Sequence, residues 1–313
     1  MFKDIKPRIP KNYAHGRYYD MEAKLINIDE WRLVGEGGVG KSYVNLEDDS
    51  LFLKLNNTAV SREHAELEYL NSKRFCTLGL PTPGIYDFVT DGTRYGYTGE
   101  FLKGKKSFAS IMAGNPSCID QMACRFAQKT RELHNTMVDT SNSQDLMTLK
   151  REYLGDMSFV PKDVADVVSG YFDCIEQGYS CLLSDLNPGN LILYQGKEYW
   201  IDTGASSYGN PIIDFASMYM VLHFMPLNMS KDLFHLNHRQ FRLFYTKVLQ
   251  YYYGKAEIDA DIMDKIRKVA LINCCSAIRF QPSSAPLFIP LLRNQTLRFE
   301  AIRILASLKR QNK

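Results

Sequence analysis

Cysteine is sparse in this chain and follows no pattern. The seven cysteines are scattered over 313 residues without Cys-x-x-Cys spacing, and the six histidines do not group with them. Disulfide frameworks and zinc sites depend on regular spacing of these residues. The sequence therefore predicts reduced thiols in a cytoplasmic protein, with neither a disulfide frame nor a structural zinc site.

Strong charge of one sign and long apolar runs are missing as well. The 38 basic and 35 acidic side chains leave a net charge of +3, and no long basic run occurs. Bulk charge therefore gives no support for a nucleic-acid or membrane-surface partner. The most apolar run, residues 215–227, contains His223 and Pro226 and is too short to cross a bilayer. No apolar segment of signal-peptide length occurs near residue 1. The oligomeric state cannot be predicted from the sequence.

The chain does contain a clear division between strand-like and helix-like segments. Strand patterns surround one helix at 61–78, and they cover residues 31–34, 42–46, 51–55, 85–89 and 95–101. The later pattern is helical at 119–135, 161–178, 211–223, 238–253, 258–280 and 296–309, with a hairpin formed by 191–194 and 199–202. This layout predicts an α+β protein with an N-terminal arm at 1–24, a sheet lobe at 25–102 and a helical lobe at 103–313.

A glycine-rich stretch that begins at Gly35, GEGGVGKS, matches every fixed position of the P-loop motif. A P-loop joins a buried strand to a helix whose N-terminus holds the phosphate. Here the stretch is followed by YVNL, an acidic turn and the strand-like LFLKL, which leave no room for that helix. The pattern favours a flap between antiparallel strands, in which Gly35, Gly37, Gly38 and Gly40 let the backbone approach phosphate. A P-loop NTPase that uses Lys41 remains an alternative.

A second constellation lies in LLSDLNPGNLILYQGKEYWID. It places Asp185 and Asn190 on a short loop and Asp202 at the end of the hairpin that follows. Phosphoryl transfer requires a carboxylate that orients or deprotonates the attacking hydroxyl, and it requires oxygen ligands for Mg²⁺. The spacing supplies both, so it favours a phosphotransferase site over three unrelated loop residues.

At these residues the chain resembles the aminoglycoside phosphotransferase and choline kinase-like enzymes, which are small-molecule kinases of the protein-kinase fold. The resemblance is carried by LSDLNPGNLIL and YWIDTGASSYGNPIIDFASMY, and upstream by LFLKL, EYLNSKRFCTLGLPTP and RYGYTGEFLKG. It implies a two-lobed protein-kinase-like fold, with an antiparallel β N-lobe and a mainly helical C-lobe. It also implies transfer of the γ-phosphate of ATP, with Mg²⁺, to a hydroxyl of a small molecule.

The resemblance assigns four residues to the catalytic side of the site. Asp185 would be the catalytic carboxylate, and Asn190 and Asp202 would bind Mg²⁺. Asp214 would brace the catalytic loop. The chain departs from the family at residues 183 and 184, where Leu and Ser stand in place of the usual His and a frequent Gly, and at residue 187, where Asn replaces a common second His.

On the nucleotide side, the resemblance assigns Lys54 to the α and β phosphates. Glu68 would pair with Lys54, and Glu66 and Glu63 are second choices. The hinge that receives adenine would consist of Glu100, Phe101 and Leu102. A non-catalytic nucleotide-binding pseudokinase is a further alternative, and the acceptor stays open among aminoglycosides, amino alcohols, sugars and similar hydroxyl compounds.

Overall fold

The computed structural model describes residues 21–37, 39–138, 140 and 145–295. The strands in these residues are β1 (Lys24–Leu25), β2 (Trp31–Glu36), β3 (Gly40–Asn45), β4 (Leu51–Asn56), β5 (Ile85–Thr90), β6 (Tyr95–Glu100), β7 (Lys106–Ser107), β8 (Ser180–Leu182), β9 (Leu191–Tyr194), β10 (Lys197–Trp200) and β11 (Ser207–Gly209). The helices are α1 (Arg62–Cys76), α2 (Phe108–Gly114), α3 (Ile119–His134), α4 (Leu146–Leu154), α5 (Lys162–Tyr171), α6 (Ile212–His223), α7 (Met229–Phe234), α8 (His238–Tyr253) and α9 (Ala260–Phe280). Residues 285–295 are also helical.

Six strands form one sheet in the order β1-β5-β6-β4-β3-β2. All neighbours in this sheet run antiparallel except β1, which is parallel to β5. The alternation predicted for β4 is confirmed: Leu53 and Leu55 are buried on one face with Val89. On the other face, Phe52 packs in a cluster that includes Tyr97. The two faces of β4 therefore pack in different hydrophobic clusters.

Helix α1 covers the second face of this sheet. Its residues Ala65 and Tyr69 are buried in the same cluster as Tyr97. The helix begins after Ser61, whose hydroxyl accepts a hydrogen bond from the backbone N–H of His64 at 3.3 Å, as expected for an N-cap. This packing places α1 directly beside the polar residues on that face of β4.

The helices after β6 build a larger core. Helix α3 packs against α8, and α6 packs against α9. Phe126 of α3 meets Trp200 and Phe244 edge to face, with ring centroids 5.8 and 5.3 Å apart. Two small sheets, β10-β9-β7 and β11-β8, lie within this helical part. They fix both ends of the loop that carries Asp185.

The predicted division into a mainly antiparallel sheet and a helical part is confirmed. The seven cysteines are all free, as predicted. None of the helices in the described ranges combines the length and the apolar character needed to span a membrane.

The sequence predicts the second strand of the β9–β10 hairpin at 199–202. This prediction is wrong by two residues, because β10 begins and ends two residues earlier. Strand β10 pairs with β9 through a two-residue turn at Gln195 and Gly196, whose φ angles are 47° and 81°. Such positive φ values at both central residues match the twist of a tight hairpin, which fixes its register. As a result Asp202 lies beyond the strand.

The helix prediction at 161–178 is also too long. Helix α5 ends at Tyr171 and is followed by a 3-10 turn, Phe172–Cys174. A side chain at Gly178 would place its Cβ 2.5 Å from the carbonyl oxygen of Gly209, so the chain there runs close to a neighbouring segment instead of in a helix. Helices α2, α4 and α7 were not predicted, because segments of six to nine residues show too little periodicity. The predicted helix at 296–309 lies outside the described residues.

Candidate active site

The glycine-rich stretch forms the connection between β2 and β3. The backbone N–H of Gly37 donates to the carbonyl of Gly40 at 2.9 Å, which closes the turn. Gly40 must be glycine, because a Cβ there would lie 2.6 Å from the carbonyl oxygen of Leu55. Gly35 lies in β2, and Gly38 lies outside the described residues.

The P-loop alternative is wrong in this structure. Lys41 and Ser42 belong to strand β3, so no helix follows the glycines. Lys41 is paired with Leu55 and Ser42 with Lys54 across the sheet. Because paired residues of adjacent strands share a face, Lys41 points to the face opposite Lys54. It forms an ion pair with Glu36 at 3.3 Å instead.

Lys54 is the centre of an ion network. Its Nζ lies 2.6 Å from Oε1 of Glu68 and 2.6 Å from Oδ1 of Asp202. Glu68 is thus the acidic partner in α1, whereas Glu66 is turned away and accepts a hydrogen bond from the backbone N–H of Met21 at 3.4 Å. The network joins strand β4, helix α1 and the segment after β10.

Burial and neighbouring acidic groups act on Lys54 in opposite directions. Burial alone would lower the pKa of Lys54, but Tyr97, Asp202 and Glu68 raise it well above its ordinary value. Tyr97 lies directly across from Lys54 on β6, and burial raises the pKa of its hydroxyl to about 12. Lys54 therefore carries a full positive charge at neutral pH in an otherwise acidic and aromatic environment.

Gly204 allows α1 to approach the segment that follows Asp202. A Cβ at Gly204 would lie 2.2 Å from Cγ of Glu68, so any other residue there would displace the Glu68 side chain. The side chain of Asn71 in α1 also donates to the carbonyl of Gly204 at 2.9 Å. The position of Glu68 is therefore tied to the backbone that carries Asp202.

The loop between β8 and β9 holds Asp185 and Asn190 together. The Nδ2 of Asn190 donates to the backbone carbonyl of Asp185 at 2.9 Å and to its Oδ2 at 3.3 Å. The backbone N–H of Ile201 donates to the carbonyl of Asn190 at 3.0 Å, which brings the segment before Asp202 beside this loop. Asp202 adopts a left-handed conformation with φ 56°, a strained geometry that is typical of functional positions.

Asp185 is exposed to solvent, but protein atoms crowd its carboxyl group and partly desolvate it. This desolvation, together with the negative charge of Asp202, raises the pKa of Asp185 above its ordinary value. A raised pKa makes a carboxylate a better proton acceptor, provided that the pH stays above that pKa.

Asp214 is fully buried below the loop that carries Asp185. Its carboxylate accepts hydrogen bonds from the backbone N–H groups of Leu183 at 2.9 Å and Ser184 at 2.8 Å. Its Oδ2 also lies 3.2 Å from Nε2 of His134, whose Nδ1 lies 2.8 Å from the hydroxyl of Tyr252. The sequence predicts the bracing by Asp214, but it does not predict that His134 and Tyr252 are linked to Asp214.

The departures from the family pattern fit this loop. Leu183 is completely buried, so an apolar side chain is accommodated where the family usually carries His. Ser184 has a φ of 68°, a value that glycine adopts without strain. Asn187 folds back on the loop, because its Oδ1 accepts a hydrogen bond from the backbone N–H of Gly189 at 2.8 Å.

The proposed hinge residues lie at the end of β6 and directly after it. The backbone N–H of Glu100 donates to the carbonyl of Gly84 at 2.8 Å, and that of Phe101 donates to the carbonyl of Ser50 at 2.6 Å. Leu102 is buried, with an exposure of 2%. Backbone hydrogen bonds therefore fix the position of this segment where it leaves the sheet.

Two residues near the site were missed by the sequence reasoning. Phe52 and Asn56 flank Lys54 at spacing i−2 and i+2, so they lie on the same face of β4. Asn56 donates from Nδ2 to Oε2 of Glu68 at 2.9 Å. The period-2 alternation around Lys54 is the signal that could have identified both.

The donor set fits Mg²⁺ when a nucleotide supplies the rest. In the described ranges, no group of three or more His, Cys, Asp and Glu side chains is arranged to hold a metal ion alone. Mg²⁺ is commonly bound by one or two protein oxygens together with substrate phosphates and water. Half of the Asp202 side chain remains exposed, and the amide oxygen of Asn190 is not used in its bonds to Asp185.

Comparisons with known proteins support the fold. No family model matches the sequence, and no curated protein matches it either. The structure is similar to that of "Amicoumacin kinase hAmiN in complex with AMP-PNP, Ca2+ and Ami", with a TM-score of 0.58, 14% identity and coverage of 88% of this chain and 91% of that chain. It is also similar to ADP-bound aminoglycoside phosphotransferase APH(2'')-Ib, with a TM-score of 0.56, 18% identity and coverage of 85% and 93%.

A choline/ethanolamine kinase family protein from Mesorhizobium loti is a third similar structure. Its TM-score is 0.54 at 14% identity, with 87% of each chain covered. At these identities the likeness concerns the fold. The predicted two-lobed, protein-kinase-like architecture is therefore confirmed.

Proposed function

We propose that the protein is a phosphotransferase that moves the γ-phosphate of ATP to a hydroxyl group of a small molecule. The observation that carries this proposal is the convergence of Lys54, Glu68 and Asp202 opposite the loop that holds Asp185 and Asn190. The nucleotide would lie between a sheet lobe at 25–102 and a helical lobe at 103–313. The free cysteines fit a cytoplasmic enzyme.

Each charged residue has a role that follows from its position. Lys54 binds the α and β phosphates, and Glu68 keeps the ammonium group aimed into the cleft. Asp202 and Asn190 would hold Mg²⁺, which would offset the charge on the phosphate oxygens. The glycine-rich β2–β3 connection would lie over the phosphates and place no Cβ in the way.

Nucleotide base binding follows from the backbone of the hinge. The N–H groups of Glu100 and Phe101 are already used within the sheet. The carbonyl of Glu100 and the N–H of Leu102 would therefore meet the purine edge. Phe52 shares the face of Lys54 and would stack on the base.

The transfer step uses Asp185 as proton acceptor. The acceptor hydroxyl oxygen forms a bond to the γ-phosphorus while the bond from that phosphorus to the β–γ bridging oxygen breaks. The hydroxyl proton moves to the Asp185 carboxylate, and ADP leaves. The similar structures include kinases whose names refer to aminoglycosides, amicoumacin and choline or ethanolamine. These names support a small hydroxyl-bearing acceptor.

An acceptor screen tests the proposal. The purified protein is incubated with Mg²⁺-ATP and with aminoglycosides, amino alcohols, sugars or hydroxy amino acids, and the products are analysed by mass spectrometry. We expect one class to gain a phosphate in an amount equal to the ADP released. Nucleotide binding without transfer to any acceptor would favour the pseudokinase alternative.

A further inference from the structure

Asn56 is a buried amide at the end of strand β4. Its exposure is 1%, and its only hydrogen bond from the side chain in the described part of the chain runs from Nδ2 to Oε2 of Glu68 at 2.9 Å. Its Oδ1 is buried and accepts no hydrogen bond within the same residues. A buried amide normally has hydrogen-bond partners for both its oxygen and its nitrogen. Because the oxygen of Asn56 has none, its nitrogen, which donates to Glu68, points to the role of this residue.

The Asn56 amide gives the Glu68 carboxylate a second partner besides Lys54. Oε1 of Glu68 contacts Nζ of Lys54 at 2.6 Å, and Oε2 contacts Asn56. Two hydrogen bonds from different directions fix the plane of a carboxylate, whereas one bond leaves it free to rotate. Lys54 and Asn56 lie two residues apart on the same strand, so both donors belong to one rigid element.

The orientation of Glu68 decides which acid Lys54 prefers. Lys54 also contacts Asp202 at 2.6 Å. If the Glu68 carboxylate turned away, the ammonium group would pair with Asp202 alone. It would then draw that carboxylate away from the phosphates and from Mg²⁺. Asn56 opposes this by holding Glu68 against Lys54.

We propose that Asn56 is a positioning residue for nucleotide phosphate binding, because it fixes Glu68 and thereby keeps Lys54 aimed at the phosphates. This inference rests on the proposed function. It concerns how this chain orients its phosphate-binding lysine, and it adds a fourth member to the network of Lys54, Glu68 and Asp202.

The Asn56→Asp variant tests this inference, since it keeps the size of the side chain and replaces the donor by a second carboxylate. At about pH 8.5 two carboxylates that face each other repel, and Glu68 should turn away. We expect the KM for ATP to rise about tenfold, with kcat at saturating ATP changed less than threefold. At about pH 6.5 the two acids can share a proton, which restores a hydrogen bond, so the defect should shrink.

The pH comparison is interpretable because the surrounding groups are known. Lys54 on β4, Tyr97 on β6, His64 on α1 and Asp202 are the other titratable groups near Glu68. Burial lowers the pKa of His64 and raises the pKa of Tyr97 to about 12, so Tyr97 stays uncharged in this range. Adding Glu68→Gln to Asn56→Asp should recover part of the lost affinity, because the amide at position 68 can then donate to the carboxylate at position 56.

Asn45→Asp is the matched control. Asn45 lies at the end of β3, and its Oδ1 accepts hydrogen bonds from the backbone N–H groups of Glu47 and Asp48, which a carboxylate can also accept. It should leave the KM for ATP unchanged. The inference is overturned if Asn56→Asp retains the wild-type KM, if its defect is equal at both pH values, or if Asn45→Asp shows the same defect. If the unaltered protein does not bind Mg²⁺-ATP, the proposed function itself fails, and the two failures are thereby distinguished.

Discussion

Asp185 carries a carboxylate whose ionised form is disfavoured by its surroundings. Desolvation and Asp202 raise the pKa of Asp185 in the folded protein above the ordinary value of 3.8. The folded state therefore binds more protons than the unfolded state between those two pKa values. The stabilising contribution of the protonated form is complete below the unfolded value and is lost as the pH rises through the folded value.

A stability measurement on Asp185→Asn follows from this linkage. The variant removes an unfavourable charge, so we expect its melting temperature near neutral pH to exceed that of the unaltered protein. The difference should shrink as the pH falls through the raised pKa of Asp185, because the native carboxyl then becomes protonated. Thermal unfolding followed by circular dichroism across this range provides the measurement. A variant that is less stable at neutral pH would show that the Asp185 carboxylate is not held in an unfavourable environment.

The site residues differ in how far the sequence alone could identify them. Asp185, Asn190 and Asp202 could be predicted because their spacing along one short segment is itself diagnostic. The contacts of Asn56 with Glu68 and of Tyr252 with His134 could not be predicted, because packing between separate elements creates them. Such contacts depend on tertiary structure, which the pattern of one segment does not contain.

At the scale of elements, the pairing of β3 with β4 places Lys41 and Lys54 on opposite faces of the sheet. The glycine-rich motif alone does not show which of the two lysines binds phosphate. Lys41 faces away from Lys54 and pairs with Glu36, whereas Lys54 contacts Glu68 and Asp202. We expect Lys54→Ala to weaken ATP binding at least tenfold and Lys41→Ala to change it less than threefold, because only Lys54 lies on the cleft face. Isothermal titration of each variant with Mg²⁺-ATP compares them. A larger loss at Lys41 would restore the P-loop interpretation.

Helices α3, α6 and α8 jointly brace the catalytic loop. The Asp214 carboxylate can only accept hydrogen bonds, so the hydrogen bond from His134 to it requires a proton on Nε2. In the neutral ring, Nδ1 then accepts from the hydroxyl of Tyr252. Replacing Tyr252 by Phe would leave that buried nitrogen without a donor. We expect a loss of about 1–2 kcal/mol in the free energy of unfolding.

Tyr253 offers a matched control for this prediction. It is the next residue in α8, and its hydroxyl makes no hydrogen bond within the portion of the chain that is described. Urea unfolding of Tyr252→Phe and Tyr253→Phe should therefore separate the loss of a hydrogen bond from the loss of a hydroxyl. Equal losses in the two variants would contradict the bracing role of Tyr252.

Secondary structure was predictable where an element was long and strongly patterned. The bounds of α8 agree with the prediction to the residue, and β4 shows the expected alternation. Short helices such as α2 and α7 were missed because one or two turns do not establish a period. The strand that precedes Asp202 was misplaced because the register depends on the φ angles of Gln195 and Gly196.

At the scale of the whole molecule, the site exists only when both lobes are assembled. The ion pair between Lys54 and Asp202 joins residues 148 positions apart, and Asn71 ties α1 to Gly204 across the same boundary. A ligand that contacts both lobes therefore stabilises the whole fold by mass action. At a hundredfold excess over its Kd, the gain is about 2.7 kcal/mol.

We propose that Asp185 acts on the acceptor while the other residues hold the nucleotide. The most direct test measures both properties in Asp185→Asn: the melting-temperature shift caused by Mg²⁺-ATP, and the rate of phosphate transfer to the acceptor found by screening. We expect the shift to match that of the unaltered protein and the turnover to fall by about two to four orders of magnitude. A variant that transfers phosphate at a near-normal rate would contradict the claim.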